Sequence, residues 1–272
     1  MYQIPFAWFP FKLAGFSQAE TASFIWGGAR MIESVCGLRY AASGNPLLVL
    51  SGYPSNSWAA RTWYTRVEFS TIRKAPAEFW IMADAHERLH TWGYTGAPAL
   101  GHSKDPESIM HPNGSIYRWF SPGDVRMLIG RYGRPARPPQ GYPPVKIERE
   151  KFFAAHRDWN AADQKWKHFA GLRNAEVAKP NTSRERLDEL NKETAAWLAK
   201  RTEAGQRRSK ANSKANQLEK AFDSIFHPTA NALTIGEPEA VYSEGCTGCA
   251  FDPDSTAAGD SNEGFIIPVE SV

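Results

Sequence analysis

Between Arg134 and Pro144 the chain reads Arg134-Pro135-Ala136-Arg137-Pro138-Pro139-Gln140-Gly141-Tyr142-Pro143-Pro144. Proline fixes φ and carries no amide hydrogen, so prolines at this density cannot continue a helix or a central strand. Residues 134–145 are therefore expected to form a semi-rigid linker. A chain of 272 residues can bury one sizeable core or two small ones, and the proline run favours division. The expected organisation is a folded domain over 1–133, a linker over 134–145, a helical region over 146–226 and an extended tail over 227–272.

Charge follows the same division. Residues 1–145 carry a net +5, residues 146–220 a net +7 and residues 221–272 a net −9, with no Lys or Arg in the last segment. The total of +3 points to no particular partner, but the segregation gives the segments different surfaces. The basic middle suits nucleic acid or an acidic protein surface, or simply a set of solvated helix faces. The acidic end is rich in Pro, Gly and Ser and shows little periodicity, as an extended tail would. Neighbouring subunits of a larger assembly, touching the helical region and the tail, would be natural partners.

Cys36, Cys246 and Cys249 are odd in number and sparse, which argues against a disulfide-stapled framework. Cys36 lies between a helix and a strand and reads as a core thiol. Cys246 and Cys249 form a single pair with no second pair nearby. No run of about 18 apolar residues is present, so no membrane span is expected. The apolar N-terminus lacks a basic leader and does not read as a signal peptide. The expected location is cytoplasmic, or within a particle such as a virion.

Ser17 with Glu20 three positions on is a capping-box pattern, and a helix should follow to about Val35. Leu38 to Tyr40 opens a strand, and the apolar run Leu47-Leu48-Val49-Leu50 fits a buried one. Thr62 to Ser70 alternates in polarity, which predicts one strand with two faces. Ala77 to Trp92 reads as a helix. This order gives an α/β or α+β layout with helices packed on a sheet. Past the linker, Phe152, Ala155, Trp159, Ala162, Trp166 and Phe169 form the stripe of an amphipathic helix. A second helix begins near Thr182, and a third carries Leu218, Phe222 and Ile225. The polar stretch Gly205 to Asn216 reads as their connection.

The chemistry lies in Ala85-His86-Glu87-Arg88-Leu89-His90-Thr91-Trp92-Gly93. His86 and His90, four apart on a helix, project from one face, with Glu87 on a neighbouring row. Two imidazoles and a carboxylate so spaced are the H-E-x-x-H arrangement of two zinc ligands and a general base. A catalytic zinc site needs a third protein ligand as well.

Downstream stands Leu100-Gly101-His102-Ser103-Lys104-Asp105-Pro106-Glu107-Ser108-Ile109-Met110-His111-Pro112. After it come Phe120-Ser121-Pro122-Gly123-Asp124-Val125 and, at the close, Arg131-Tyr132-Gly133. Together with the motif these residues resemble the matrixins, zinc metallopeptidases of the metzincin clan, over roughly residues 17–133. The resemblance implies a metzincin-like twisted sheet with an active-site helix and a closing helix. It implies zinc on His86, His90 and His102, with Glu87 as general base. Gly93 would turn the chain after the helix, Met110 would support the ligands from below, and Pro112 would help wall the pocket. The family places its third histidine three positions after the glycine. Here His102 comes nine after Gly93, so Tyr94 to Ala99 reads as a six-residue insertion, and Asp105 and His111 stand as substitute ligands.

The function so implied is zinc-dependent hydrolysis of peptide bonds in a peptide or protein substrate. That substrate would lie extended along an edge strand such as Thr62 to Ser70. The alternative is a structural protein of a phage particle that retains the fold with reduced or no peptidase activity.

Overall fold

The computed structural model describes residues 2–91, 101–228 and 250–251. Gly93, the stretch Tyr94 to Ala99, Cys246 and Cys249 lie outside the described residues. The chain divides into two compact units, Met1–Gln140 with Ser224–Val272, and Gly141–Asp223.

The first unit is a mixed α/β structure. Its strands are β1 (Tyr2–Trp8), β2 (Leu38–Ala42), β3 (Leu48–Tyr53), β4 (Ala60–Trp63), β5 (Arg66–Ser70) and β6 (Ala250–Phe251). They form one sheet in the order β2-β1-β3-β5-β4-β6. Pairing is parallel from β2 through β5, and β4 is antiparallel to both of its neighbours. The helices of this unit are α1 (Gln18–Val35), α2 (Ala77–His90) and α3 (Pro122–Tyr132). α1 starts at the expected capping box, with Ser17 accepting from the Glu20 amide and Glu20 from the Ser17 amide.

The structure departs from the sequence expectations at two places in this sheet. The aromatic N-terminus is β1, an interior strand between β2 and β3. Pro5 hides it, because a proline counts against a central strand. The missing amide is tolerated here, and the Pro5 carbonyl still accepts from the Leu47 amide at 2.8 Å. Second, Thr62 to Ser70 is a tight hairpin of β4 and β5, with Tyr64 at its turn in the left-handed region (φ 49°). The turn shifts the phase of the alternation. Thr62 therefore faces inward opposite Val67, while Trp63 is exposed.

α2 is buried along nearly its whole length, including the charged Asp84, Glu87 and Arg88. Arg88 Nε donates to Asp84 Oδ2 at 2.7 Å, and its guanidinium lies 4.7 Å from the ring centres of both Phe6 and Tyr40. Arg88 Nη2 also donates to the Ile25 carbonyl of α1. α1 comes this close because residues 27 and 28 are glycines. A Cβ on Gly28 would sit 2.2 Å from Asp84 Oδ2 and 2.8 Å from its Cβ. Cys36 is fully buried, as expected, and burial pushes its thiol up to about 11.

The second unit is a helical hairpin of α4 (Pro143–Val177) and α5 (Arg184–Phe226). The helix starts at Pro143, where a first-turn proline loses no hydrogen bond, so the linker ends earlier than its composition suggests. The expected connection at Gly205 to Asn216 is instead part of α5. Gly205 packs against Trp159, where a Cβ would meet the indole at 3.4 Å. After it Gln206, Arg207, Arg208, Lys210, Ala211, Lys214 and Ala215 are good helix formers and carry the helix through the interspersed serines and asparagines. The Trp159 and Trp166 stripe faces the partner helix, with Arg201 and Arg208 stacked over it. Among the described residues no helix is long and apolar enough to cross a membrane.

Gly28→Ala is predicted to destabilise the protein by about 1–3 kcal/mol, because Asp84 is held by Arg88 and cannot retreat from the added methyl. Urea unfolding of the two proteins reads this directly.

Candidate metal centre

His86 and His90 leave α2 from the same face, one helical turn apart, and His102 approaches them from the loop before α3. His86 Nε2 lies 3.0 Å from His90 Nε2 and 3.3 Å from His102 Nε2. One nitrogen from each ring falls within 4.8 Å of the others. Zinc–nitrogen distances in a tetrahedral site put neighbouring nitrogens roughly 3.3–3.4 Å apart. The two measured separations are close to that edge. Of the expected ligands, then, the structure brings all three histidines together. Asp105 is exposed and accepts from the Glu107 amide within its own loop. His111 is half-buried, near enough that its charge would weigh on both His86 and His102. Pro112 is exposed.

The protonation states suit metal binding. Burial holds His86 well below the ordinary imidazole range, reinforced by the charge His90 would carry. Burial lowers His102 as well, followed by the influence of His111. Neutral imidazoles offer lone pairs, and those are the ligating form.

The orientation of His86 is fixed by a chain of contacts that starts at α3. Ser121 and Asp124 form a second capping box. The Asp124 carboxylate does more than cap. Oδ1 accepts from Ser108 Oγ at 2.6 Å, and Oδ2 accepts from the amides of Ile109 at 2.9 Å and Ser121 at 2.8 Å. That pins the Ser108–Met110 turn. The carbonyl of Ile109 lies 2.6 Å from His86 Nδ1, so Nδ1 carries the proton and Nε2 is left to ligate. Met110 is fully buried, and its carbonyl accepts from the Ser103 amide at 2.9 Å, beside His102. One turn thus steadies two ligands.

Glu87 is fully buried next to the histidines. Thr62 Oγ1 of β4 donates to Glu87 Oε2 and lies 3.0 Å from the Glu87 carbonyl oxygen. Among the described residues Oε1 has no hydrogen-bond partner. Burial pushes the carboxyl up to about 8, against the lowering effect of the Thr62 hydrogen bond. A nearby dication would oppose that push. The arrangement is three clustered imidazole nitrogens and one buried carboxyl group whose Oε1 has no hydrogen-bond partner among the described residues, a set that can hold a metal ion with an acid–base group beside it.

Sequence reasoning did not find Thr62 or assign a role to Asp124. Thr62 sits in a strand whose phase depends on the hairpin turn. Asp124 carried a visible signal in the Ser121-x-x-Asp124 spacing, but that spacing predicts only a helix cap.

Neither a family model nor a curated protein matches the sequence. Among solved structures there is a likeness to high choriolytic enzyme 1, a hatching enzyme zinc-protease from Oryzias latipes (medaka fish). It has 15% sequence identity and a TM-score of 0.27, and covers 42% of this chain and 71% of that one. At that TM-score the likeness decides neither fold nor function.

Asp124→Ala is predicted to lower zinc affinity roughly ten- to hundredfold, as losses of supporting contacts around metal ligands do. Ser121→Ala removes only the cap hydroxyl, so it costs about 1 kcal/mol of stability and leaves zinc affinity near wild type. Zinc titration calorimetry with parallel urea melts separates the two effects.

Proposed function

We propose that this chain is a zinc-dependent endopeptidase of matrixin-like kind. The observation that carries the reading is the convergence of His86, His90 and His102, with His86 Nε2 3.0 Å from His90 Nε2 and 3.3 Å from His102 Nε2, and the buried Glu87 beside them. Zinc is favoured by the donor set, since three neutral imidazoles suit zinc better than hard, oxygen-seeking cations. In this reading His86, His90 and His102 hold the ion, and Met110 and Gly93 are supports. Pro112 lines the approach to the site.

When bound, zinc acidifies water and polarises a scissile carbonyl. The chain's own residues do the rest. Glu87 accepts a proton at Oε1, the oxygen left without a partner among the described residues, and delivers it to the leaving amine. Thr62 holds Oε2 and so aims the carboxylate.

Purified protein is expected to bind one equivalent of zinc, and His86→Ala, His90→Ala and His102→Ala each to lose it. Glu87→Gln should retain the zinc while peptide hydrolysis falls about a hundredfold or more, the scale of a lost general base. Metal analysis together with hydrolysis of a mixed peptide library checks both. Failure of the wild type to take up zinc would sink this reading. Zinc uptake without turnover on any peptide would instead favour the structural-particle role.

A further inference from the structure

The outer edge of β4 is the second feature of this site. Ser70 N–H donates to the Ala59 carbonyl at 2.6 Å, and β4 pairs with β5 in the register Ala60↔Phe69 to Trp63↔Arg66. In an antiparallel ladder the main-chain groups of successive residues alternate between the two sides. With residues 59 and 70 bonded to each other, the amides and carbonyls of Ala60 and Thr62 turn away from β5, to the outer edge. The side chain of Thr62 meanwhile reaches Glu87. A row of main-chain donors and acceptors therefore runs directly to the proposed catalytic carboxylate. Such a row is a template for one more strand.

The chain already places a strand on that edge. β6 pairs antiparallel with β4, Phe251 opposite Ala60 and Ala250 opposite Arg61. It comes from the segment that follows residue 220, more than 180 residues beyond β4 in sequence, with no Lys or Arg in its length. Sheet closure does not require it, because β1 to β5 are already hydrogen-bonded in one sheet.

We propose that the outer edge of β4 is a docking groove for extended peptide, and that the chain's own Ala250–Phe251 segment takes it in cis. This C-terminal strand and a peptide substrate then exclude one another. The word substrate rests on the peptidase reading above, whereas the docking itself does not. Among the described residues, Ala250 and Phe251 pair with β4. A tethered strand has the advantage of a high local concentration. A longer peptide that pairs with Ala60 and Thr62 together can displace it, and the result is a graded brake on the site.

The test uses the full chain, wild type and the double variant Ala250→Pro/Phe251→Pro. Proline cannot donate to a ladder and so removes the docked strand without touching β4 or the metal ligands. The probe is a fluorescein-labelled peptide with the sequence of residues 247–254 and serine in place of Cys249. The probe is expected to bind the variant at least tenfold more tightly than wild type. Amide hydrogen exchange at Ala60 should speed at least tenfold in the variant, with Phe6 and Leu50 in β1 and β3 unchanged as the folding control. Equal probe affinity for the two proteins overturns the proposal, and so does unchanged exchange at Ala60. If neither protein hydrolyses any peptide, the binding and exchange results still decide the docking, and the peptidase reading alone fails.

Discussion

The site depends on one carboxylate, that of Asp124, which holds the turn behind the candidate ligands. Asp124 is fully buried and accepts hydrogen bonds from Ser108 Oγ and from the amides of Ile109 and Ser121. Each donor left unmet there would cost about 1–3 kcal/mol, so the Ser108–Met110 turn has one stable position. That position presents the Ile109 carbonyl to His86 and the Met110 carbonyl to the segment that carries His102. A helix cap is usually a local matter. Here it is the fixed point from which two imidazoles on different elements are aligned.

The other half of the alignment is the burial of α2. A helix that carries Asp84, His86, Glu87, Arg88 and His90 would ordinarily keep its polar residues in water. This one sorts them by face. The histidines and Glu87 meet Thr62 and the loop before α3, while Asp84 and Arg88 meet α1 and the rings of Phe6 and Tyr40. A buried ion pair is weak evidence of net stability. Its value here is positional, because Arg88 grips both its own helix and the Ile25 carbonyl of the next. Gly28 makes that grip possible by leaving room for the Asp84 carboxylate.

What could be read from the sequence was whatever depends on short spacing. The i, i+4 histidines and the Ser17–Glu20 and Ser121–Asp124 caps are one-turn patterns, and a helix reproduces them wherever it packs. Features set by tertiary contact were not legible. β1 survives Pro5 because neighbours on both sides hold it. α5 runs through Gly205, where the helix packs against Trp159 of α4. The phase of Thr62 is set by a turn at Tyr64, a residue with no intrinsic liking for left-handed backbone. The third histidine could be named but not located, since its place depends on tertiary contacts of the loop that carries it. The turn that Asp124 pins is what fixes it.

The helical hairpin has a consequence for how this protein can change in length. Contacts between its helices pair Arg149 with Asn216, His156 with Arg208, Trp159 with Gly205 and Asp163 with Arg201. The two numbers in each pair add to 364 or 365, so one register holds along the seam. A residue inserted in either helix turns everything beyond it by about 100°. That would swing the tryptophans of α4 away from the arginines that stack on them. Insertions and deletions within the seam are therefore tolerable only in steps near seven or eleven residues, which restore the facing side. Single-residue drift between related chains should collect in residues 178–183, the connection between α4 and α5.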